Sequence, residues 1–268
     1  MKRMQPTTST PAKANVQAMF DSLALEYVRE RERQVSFRSQ KQIALEMLRG
    51  IRGRLLEIGC GPAVMTPDLL AMGFRVHGID VSEEMVRQAR QRMGGHLLEK
   101  ACHFETGDVE RLRYASSTFN AVLCMGVLEY LPRYSRALAE IWRVLTPGGT
   151  VVITLPNRAS SYHVVRSGYA LLRAIDRQLR RRIAPPEIAH NRCVPWMFDR
   201  ELDEAGLRKV ESRACNFIFF PLYELLPRAS ESLNRALMPL AGSTVAPFLG
   251  AQYIVKAEKT AWRSASSD

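Results

Sequence analysis

The chain has 268 residues, 46% hydrophobic and 24% charged, which supplies a sizeable buried core and excludes a disordered or fibrous composition. Lys and Arg number 38 against 27 Asp and Glu, a net charge of +11, so an acidic partner must be weighed: nucleic acid, an anionic membrane face or an anionic substrate. Five scattered cysteines with no CxxC pair exclude a disulfide frame and a zinc site, and read as free thiols of a reducing, cytoplasmic compartment.

Residues 1–13 are basic but carry no apolar run, so they read as a flexible tail and not as a secretory signal. Residues 14–50 form N-terminal cap helices, with helical spacing of apolar residues over Val16–Glu30 and Gln40–Leu48. A core follows over 51–156. RLLEIGCGPA is a strand entering a glycine turn, Met65–Met72 a helix, RVHGID a strand, and Glu83–Met93 a charged helix. CHFETGD is a strand and turn, FNAVLCMGVL begins as a buried strand, Tyr134–Leu145 is a helix, and Pro147-Gly148-Gly149 turns into the strand TVVITLP. Alternating strands and helices make a parallel sheet covered on both faces, with ligands at the carboxyl ends of its strands. The rhythm breaks at Asn157, where a basic insertion runs over 157–193. Residues 194–258 complete the core with a helix from Met197 to Ala205, a strand near Arg208–Cys215, a lid insertion at about 216–249 and a last strand; 259–268 read as a tail. The uncharged stretch Ala236–Val255 is long enough to cross a membrane, but Pro239, Gly242, Pro247 and Gly250 interrupt it, so the chain reads as soluble or at most peripheral.

The chemistry begins at Glu57-Ile58-Gly59-Cys60-Gly61-Pro62-Ala63. Glycines at 59 and 61 let the backbone pass close to a ligand where a Cβ would intrude. Nineteen residues beyond Gly61, Asp80 ends the next strand, where an acid can accept both hydroxyls of a ribose. Dinucleotide dehydrogenases share this geometry, yet Ala63-Val64 replace the helix-opening glycine that pyrophosphate approach needs. A third acid, Asp108, ends the third strand, where it can receive the amino group of an adenine.

With these pieces in order, the sequence resembles the class I S-adenosylmethionine-dependent methyltransferases. The matching segments are LLEIGCGPA, GIDVSEEMVRQAR, TGDVERLRYASSTFNAVLCMGVLEYLP and EIWRVLTPGGTVVITLPN. The resemblance implies a doubly wound, Rossmann-like α/β fold, a mostly parallel seven-stranded sheet with helical cap insertions. It implies S-adenosylmethionine as cofactor, its methionine end among Glu57, Gly59 and Gly61 and its ribose on Asp80. Met85 lies against the adenine, Asp108 and Val109 bind its edge, and Cys124, Met125 and Gly126 face the sulfonium. Tyr27 falls on a helix that closes over the cofactor in such enzymes, although core packing explains it equally well.

For the acceptor, Leu128-Glu129-Tyr130-Leu131 resembles the quinone-pathway and other small-molecule enzymes, with Tyr130 standing where those carry a histidine. The Asn/Asp-Pro-Pro-aromatic tetrapeptide of base-amino methyltransferases is absent, and no metal is implied. Glu129, Tyr130 and His190 are the candidate catalytic residues. His190 directly precedes the Trp196–Ala205 helix, and a histidine there commonly faces the acceptor, where it can act as a general base. His77, His96 and His103 read as structural or surface residues.

The insertion carries eight arginines against Asp176 and Glu187, a local +6. Arg166, Arg173, Arg177 and Arg180 share one stripe of a helix and Leu171, Leu172, Ile175 and Leu179 lie opposite. The Arg166–Arg182 stretch is either a cap helix with a solvated face or a peripheral contact with an anionic membrane at the inner face. Nucleic acid is disfavoured because no aromatic platform interleaves the charges. The aromatic-dense run 216–227 reads as buried core or as the wall of an acceptor pocket. The acceptor expected overall is small and lipophilic: a quinone precursor, lipid-linked or polyketide-like molecule, methylated on oxygen. The rival readings are an RNA methyltransferase and a non-catalytic cofactor-binding scaffold.

Overall fold

The computed structural model describes residues 11–94, 101–165, 191–219 and 226–260. Two helices, α1 (Pro11–Arg33) and α2 (Val35–Met47), precede β1 (Gly53–Ile58), α3 (Thr66–Ala71), β2 (Phe74–Asp80), α4 (Glu83–Arg92), β3 (Cys102–Thr106) and β4 (Phe119–Met125). Then come α5 (Ser135–Val144), β5 (Leu145–Pro156), α6 (Pro195–Glu204), β6 (Leu207–Cys215), α7 (Pro227–Leu237), α8 (Ala246–Leu249) and β7 (Gln252–Lys259). The seven strands form one sheet in the order β3-β2-β1-β4-β5-β7-β6, parallel from β3 to β5, with β7 antiparallel to both neighbours.

Strand periodicity divides the core. On β1, Leu56 and Ile58 face one layer, with Val122 and Cys124 of β4, Leu138 and Ile141 of α5, and Phe198 and Leu202 of α6. Leu55 faces the other, with Leu123, α2 (Ile43, Ala44, Met47), Leu69 of α3, Phe217 and Ala246. The doubly wound architecture expected from the alternation is present. The order reverses between β2-β1 and β4, and that switch point opens the crevice in which such sheets hold ligands.

Two boundaries shift. Helix α1 starts at Pro11, so residues 11–13, expected in the tail, are helical: proline suits the first helical turn, and Lys13 is held by two carboxylates. At the other end Lys259 closes β7, buried, with its Nζ donating to the Leu145 carbonyl at 2.7 Å and lying 4.1 Å from the Trp142 ring centre. Phe217 lies fully buried under β6, and Phe219 packs on the same layer. Among the described residues no helix is long and apolar enough to cross a membrane. The Arg166–Arg182 stretch and His96 lie outside the described residues.

Candidate functional site

The chain leaves β1 through three left-handed residues, Gly59 (φ +71°), Gly61 (φ +50°) and Ala63 (φ +61°). Val64 occupies the place where the dinucleotide pattern has its third glycine, and Ala63 before it accepts a backbone strain of about 1–2 kcal/mol. At Gly59 a Cβ would lie 2.2 Å from Val127 Cγ2, so the turn and the β4 exit approach as only glycine permits. The N–H groups of Gly59 and Cys60 both donate to the Ile79 carbonyl, at 2.8 and 3.0 Å, folding the turn onto the end of β2.

Asp80 ends β2 and fastens this turn. Its Oδ2 accepts the Gly61 N–H at 2.9 Å and its Oδ1 the Ser82 N–H at 3.0 Å. Burial raises its pKa, and those backbone donors pull it back. Ser82 caps α4 by accepting the Met85 N–H at 3.0 Å, and its hydroxyl donates to Asp21 of α1. Met85 is thereby seated, buried, at the first turn of α4.

A cleft of about 760 Å³ opens over these strand ends. Gly59, Gly61, Asp80, Met85, Asp108, Val109, Met125, Tyr27 and Tyr130, all expected at the site, line it together. Glu57 lines an adjoining cavity of about 520 Å³ with Arg31, Gln40 and Met65, and Tyr27, Gly59, Gly61, Met125 and Gly126 border both spaces. Burial pushes the Glu57 carboxyl up to about 8; the Asp80 charge adds to the rise, while the Thr66 hydroxyl, donating at 2.8 Å, and Lys41 oppose it. Of the three residues expected to face the sulfonium, Cys124 is buried in the core with its thiol pushed up to about 12, whereas Met125 and Gly126 line the cleft.

Glu129 sits in the short helical turn Leu128–Tyr130 but not among the cleft-lining residues, whereas Tyr130 lines the cleft with its hydroxyl held far above the ordinary phenol range by burial and the Glu129 charge. His190 lies outside the described residues. Its neighbour Asn191 donates its N–H to the Glu129 carbonyl at 2.7 Å and its side-chain amide to the Leu131 carbonyl, so that segment is fastened to the turn bearing Tyr130. Among the described residues no histidine lines the cleft; His77 and His103 stand side by side on β2 and β3, their ring centres 6.1 Å apart.

Two residues of α1 that sequence reasoning missed complete the cleft. Val16 and Phe20 form its roof together with the expected Tyr27, and Phe20 meets Tyr130 edge-on at 5.4 Å. The helical spacing around them was legible, but not the surface they cover. Lys13, assigned to the tail, contacts Asp108 Oδ2 at 2.6 Å and also Glu110. Both carboxylates raise its pKa, against the opposing effect of burial.

This donor set fits S-adenosylmethionine. Asp80 keeps lone pairs for ribose hydroxyls after taking two backbone N–H groups, Met85 and Val109 offer apolar walls to a base, and a Cβ at Gly126 would meet open space.

Residues 56–153 match the family model described as "Methyltransferase domain". The chain is 34% identical over 116 residues to the demethylmenaquinone methyltransferase of Deinococcus radiodurans, covering 42% of this chain and 47% of that protein. It is 32% identical over 108 residues to the ubiquinone biosynthesis O-methyltransferase of Aeromonas salmonicida, covering 39% and 44% respectively. The chain thus spans about half the length of the curated relatives it matches. Among solved structures, the fold is shared with magnesium protoporphyrin IX methyltransferase from Synechocystis PCC 6803 with bound SAH, at TM-score 0.61 and 16% identity, over 93% of this chain and 100% of that one. Residues 56–153, which build the strands around the cleft, thus carry a methyltransferase domain, on a sheet whose fold is shared with a methyltransferase solved with bound SAH.

Proposed function

We propose that the chain transfers a methyl group from S-adenosylmethionine to the oxygen of a small lipophilic acceptor such as a quinone precursor, a lipid-linked molecule or a polyketide-like molecule. The observation that carries this reading is the cleft wall beside Gly126, where Phe20, Val127, Tyr130 and Leu131 offer apolar and aromatic surface. The names of the relatives, a demethylmenaquinone methyltransferase and a ubiquinone biosynthesis O-methyltransferase, support the acceptor class, and the second of them alone supports the oxygen.

When bound, the cofactor supplies a methyl group on a sulfonium, open to in-line attack. The chain's own part is then largely positioning and exclusion of water. Asp80 accepts ribose hydroxyls, Asp108 and Val109 hold the adenine edge, and the roof of α1 closes the cleft. Glu57, raised to about 8, is largely neutral at pH 7 in the resting chain. An oxygen acceptor must also lose a proton. Tyr130 is a poor receiver because burial holds its hydroxyl protonated. That leaves Glu129, on the same turn, and His190, one residue from the Asn191 anchor, as candidate bases; we assign the role to His190.

The test is transfer of labelled methyl from S-adenosylmethionine to a panel of prenylated and unprenylated phenols and catechols, phospholipid amines, and RNA. Label on the phenolic oxygens is the expected result. Label on RNA alone overturns the reading, and cofactor binding with transfer to no member of a broad panel reduces the chain to a scaffold.

A peripheral membrane contact is the second reading, favoured by exposed apolar residues within and just after the basic insertion: Val164 and Val165 inside it, Trp196 and Met197 beyond it. Salt-sensitive sedimentation with anionic but not neutral vesicles, weakened by Arg173→Glu with Arg177→Glu, is expected. No sedimentation with either vesicle type at low salt returns the insertion to an ordinary cap.

A further inference from the structure

Helix α1 is firmly seated. Val16 and Ala24 are buried, and Asp21 accepts the hydroxyl of Ser82, the residue that caps α4. The first turn of α1 therefore presents Lys13 from a fixed position, and Lys13 lines the cleft together with Asp108 and Val109.

The Asp108 side chain is 41% exposed, so packing does not choose its rotamer. Polar contacts choose it instead. Its Oδ1 accepts the Glu110 N–H at 2.9 Å, and its Oδ2 meets Lys13 Nζ at 2.6 Å. The backbone is pinned as well, since the Asp108 carbonyl accepts the Arg111 N–H at 2.9 Å. Lys13 also contacts the Glu110 carboxylate, so one ammonium stands between two acids that would otherwise repel each other. One positive charge against two negative ones leaves this corner at −1, still attractive to an N–H donor. A carboxylate has about four lone-pair directions, so about two remain after these contacts.

We propose that Lys13 is a positioning residue for base recognition: it holds the Asp108 carboxylate, ahead of the ligand, in the orientation that receives the amino group of adenine. The inference rests on the assignment of Asp108 to the adenine edge. Without Lys13 the exposed carboxylate turns away from Glu110, and each incoming base must order it again, a cost of about tenfold in affinity. The effect is confined to the base, because Asp80, at the ribose, is held by the Gly61 and Ser82 N–H groups and not by Lys13.

The experiment is calorimetry on the full chain with two probes, the weaker one read by displacement. The first is S-adenosylhomocysteine; the second is S-ribosylhomocysteine, which shares the sugar and the amino-acid end and lacks the base. Lys13→Met should weaken the first about tenfold and leave the second within about twofold. Lys13→Arg, which keeps the charge and the reach, should hold the first within about threefold of the parent. Asp108→Ala should weaken only the adenine-bearing probe, and adding Lys13→Met to it should cost little more. Equal weakening of both probes in Lys13→Met means that the residue merely seats α1, and overturns the positioning role. An unchanged affinity for both probes, or full additivity in the double variant, overturns it too. An Asp108→Ala variant that binds S-adenosylhomocysteine as the parent does overturns the adenine assignment itself, a failure visible without any change at Lys13.

Discussion

Glu57→Gln is expected to stabilise the ligand-free protein, by an amount that grows with pH. The carboxyl is 3% exposed, and its pKa rises from 4.5 to about 8 because burial disfavours the charged form. Between those values the folded chain holds a proton that the unfolded chain releases, so stability falls as pH rises. The slope approaches about 1.4 kcal/mol per pH unit, giving at most about 3 kcal/mol at pH 7 and a ceiling of about 5 kcal/mol above pH 8. Glutamine matches the neutral acid in shape and keeps an oxygen for the Thr66 hydroxyl, which donates to Glu57 at 2.8 Å. The assay is chemical denaturation of both proteins at several pH values from about 4.5 to about 8.5. The stability difference should be near zero at the acid end and widen steadily. A difference constant across the range would refute the reasoning, because a change in packing or hydrogen bonding alone has no such pH dependence.

Asp80→Asn should weaken S-adenosylmethionine binding by about a hundredfold, since the carboxylate serves both the ribose and the Gly61 and Ser82 N–H groups; calorimetry with unchanged affinity and an intact fold would displace Asp80 from the site. Gly59→Ala should cost about 2–4 kcal/mol of stability from the clash with Val127 plus the left-handed backbone, and Val127→Ala on top should restore only the steric part, as read from denaturation midpoints. His190→Ala should lower turnover about 10²–10⁴-fold with cofactor affinity nearly unchanged; near-normal turnover on the true acceptor would make the residue structural.

The strands and the residues gathered at the cleft were legible because each has a local signature. The period-2 burial of β1, the glycines at 59 and 61, and the acids closing β2 and β3 are all set by what the next few residues must do. Of the roof, only Tyr27 was. Val16 and Phe20 share its helical stripe, but a stripe covering a cleft and one buried in a core have the same spacing. Lys13 was hidden for another reason: its partners, Asp108 and Glu110, lie 95 and 97 residues away, and no local pattern marks so distant an ion pair. Glu57 lines the adjoining cavity, which shares Gly59, Gly61 and Gly126 with the cleft, because alternation along β1 turns it to the side where the Thr66 hydroxyl waits.

The end of β5 is built as a socket. Asn157 donates its N–H to the Ala251 carbonyl and its side-chain amide to the Pro247 and Gly250 carbonyls. It also forms a bridge with Cys193, reinforced by Arg158 N–H to the Cys193 carbonyl at 2.8 Å and Cys193 N–H to the Pro156 carbonyl at 2.9 Å. Both ends of the 157–193 excursion are therefore clamped at one point on the sheet. Closure entropy grows only slowly with loop length, so segments of different size and chemistry can be exchanged there at little cost to the fold. A lineage could change what reaches the mouth of the cleft by recombining this one interval, leaving untouched the strand ends that grip the nucleoside.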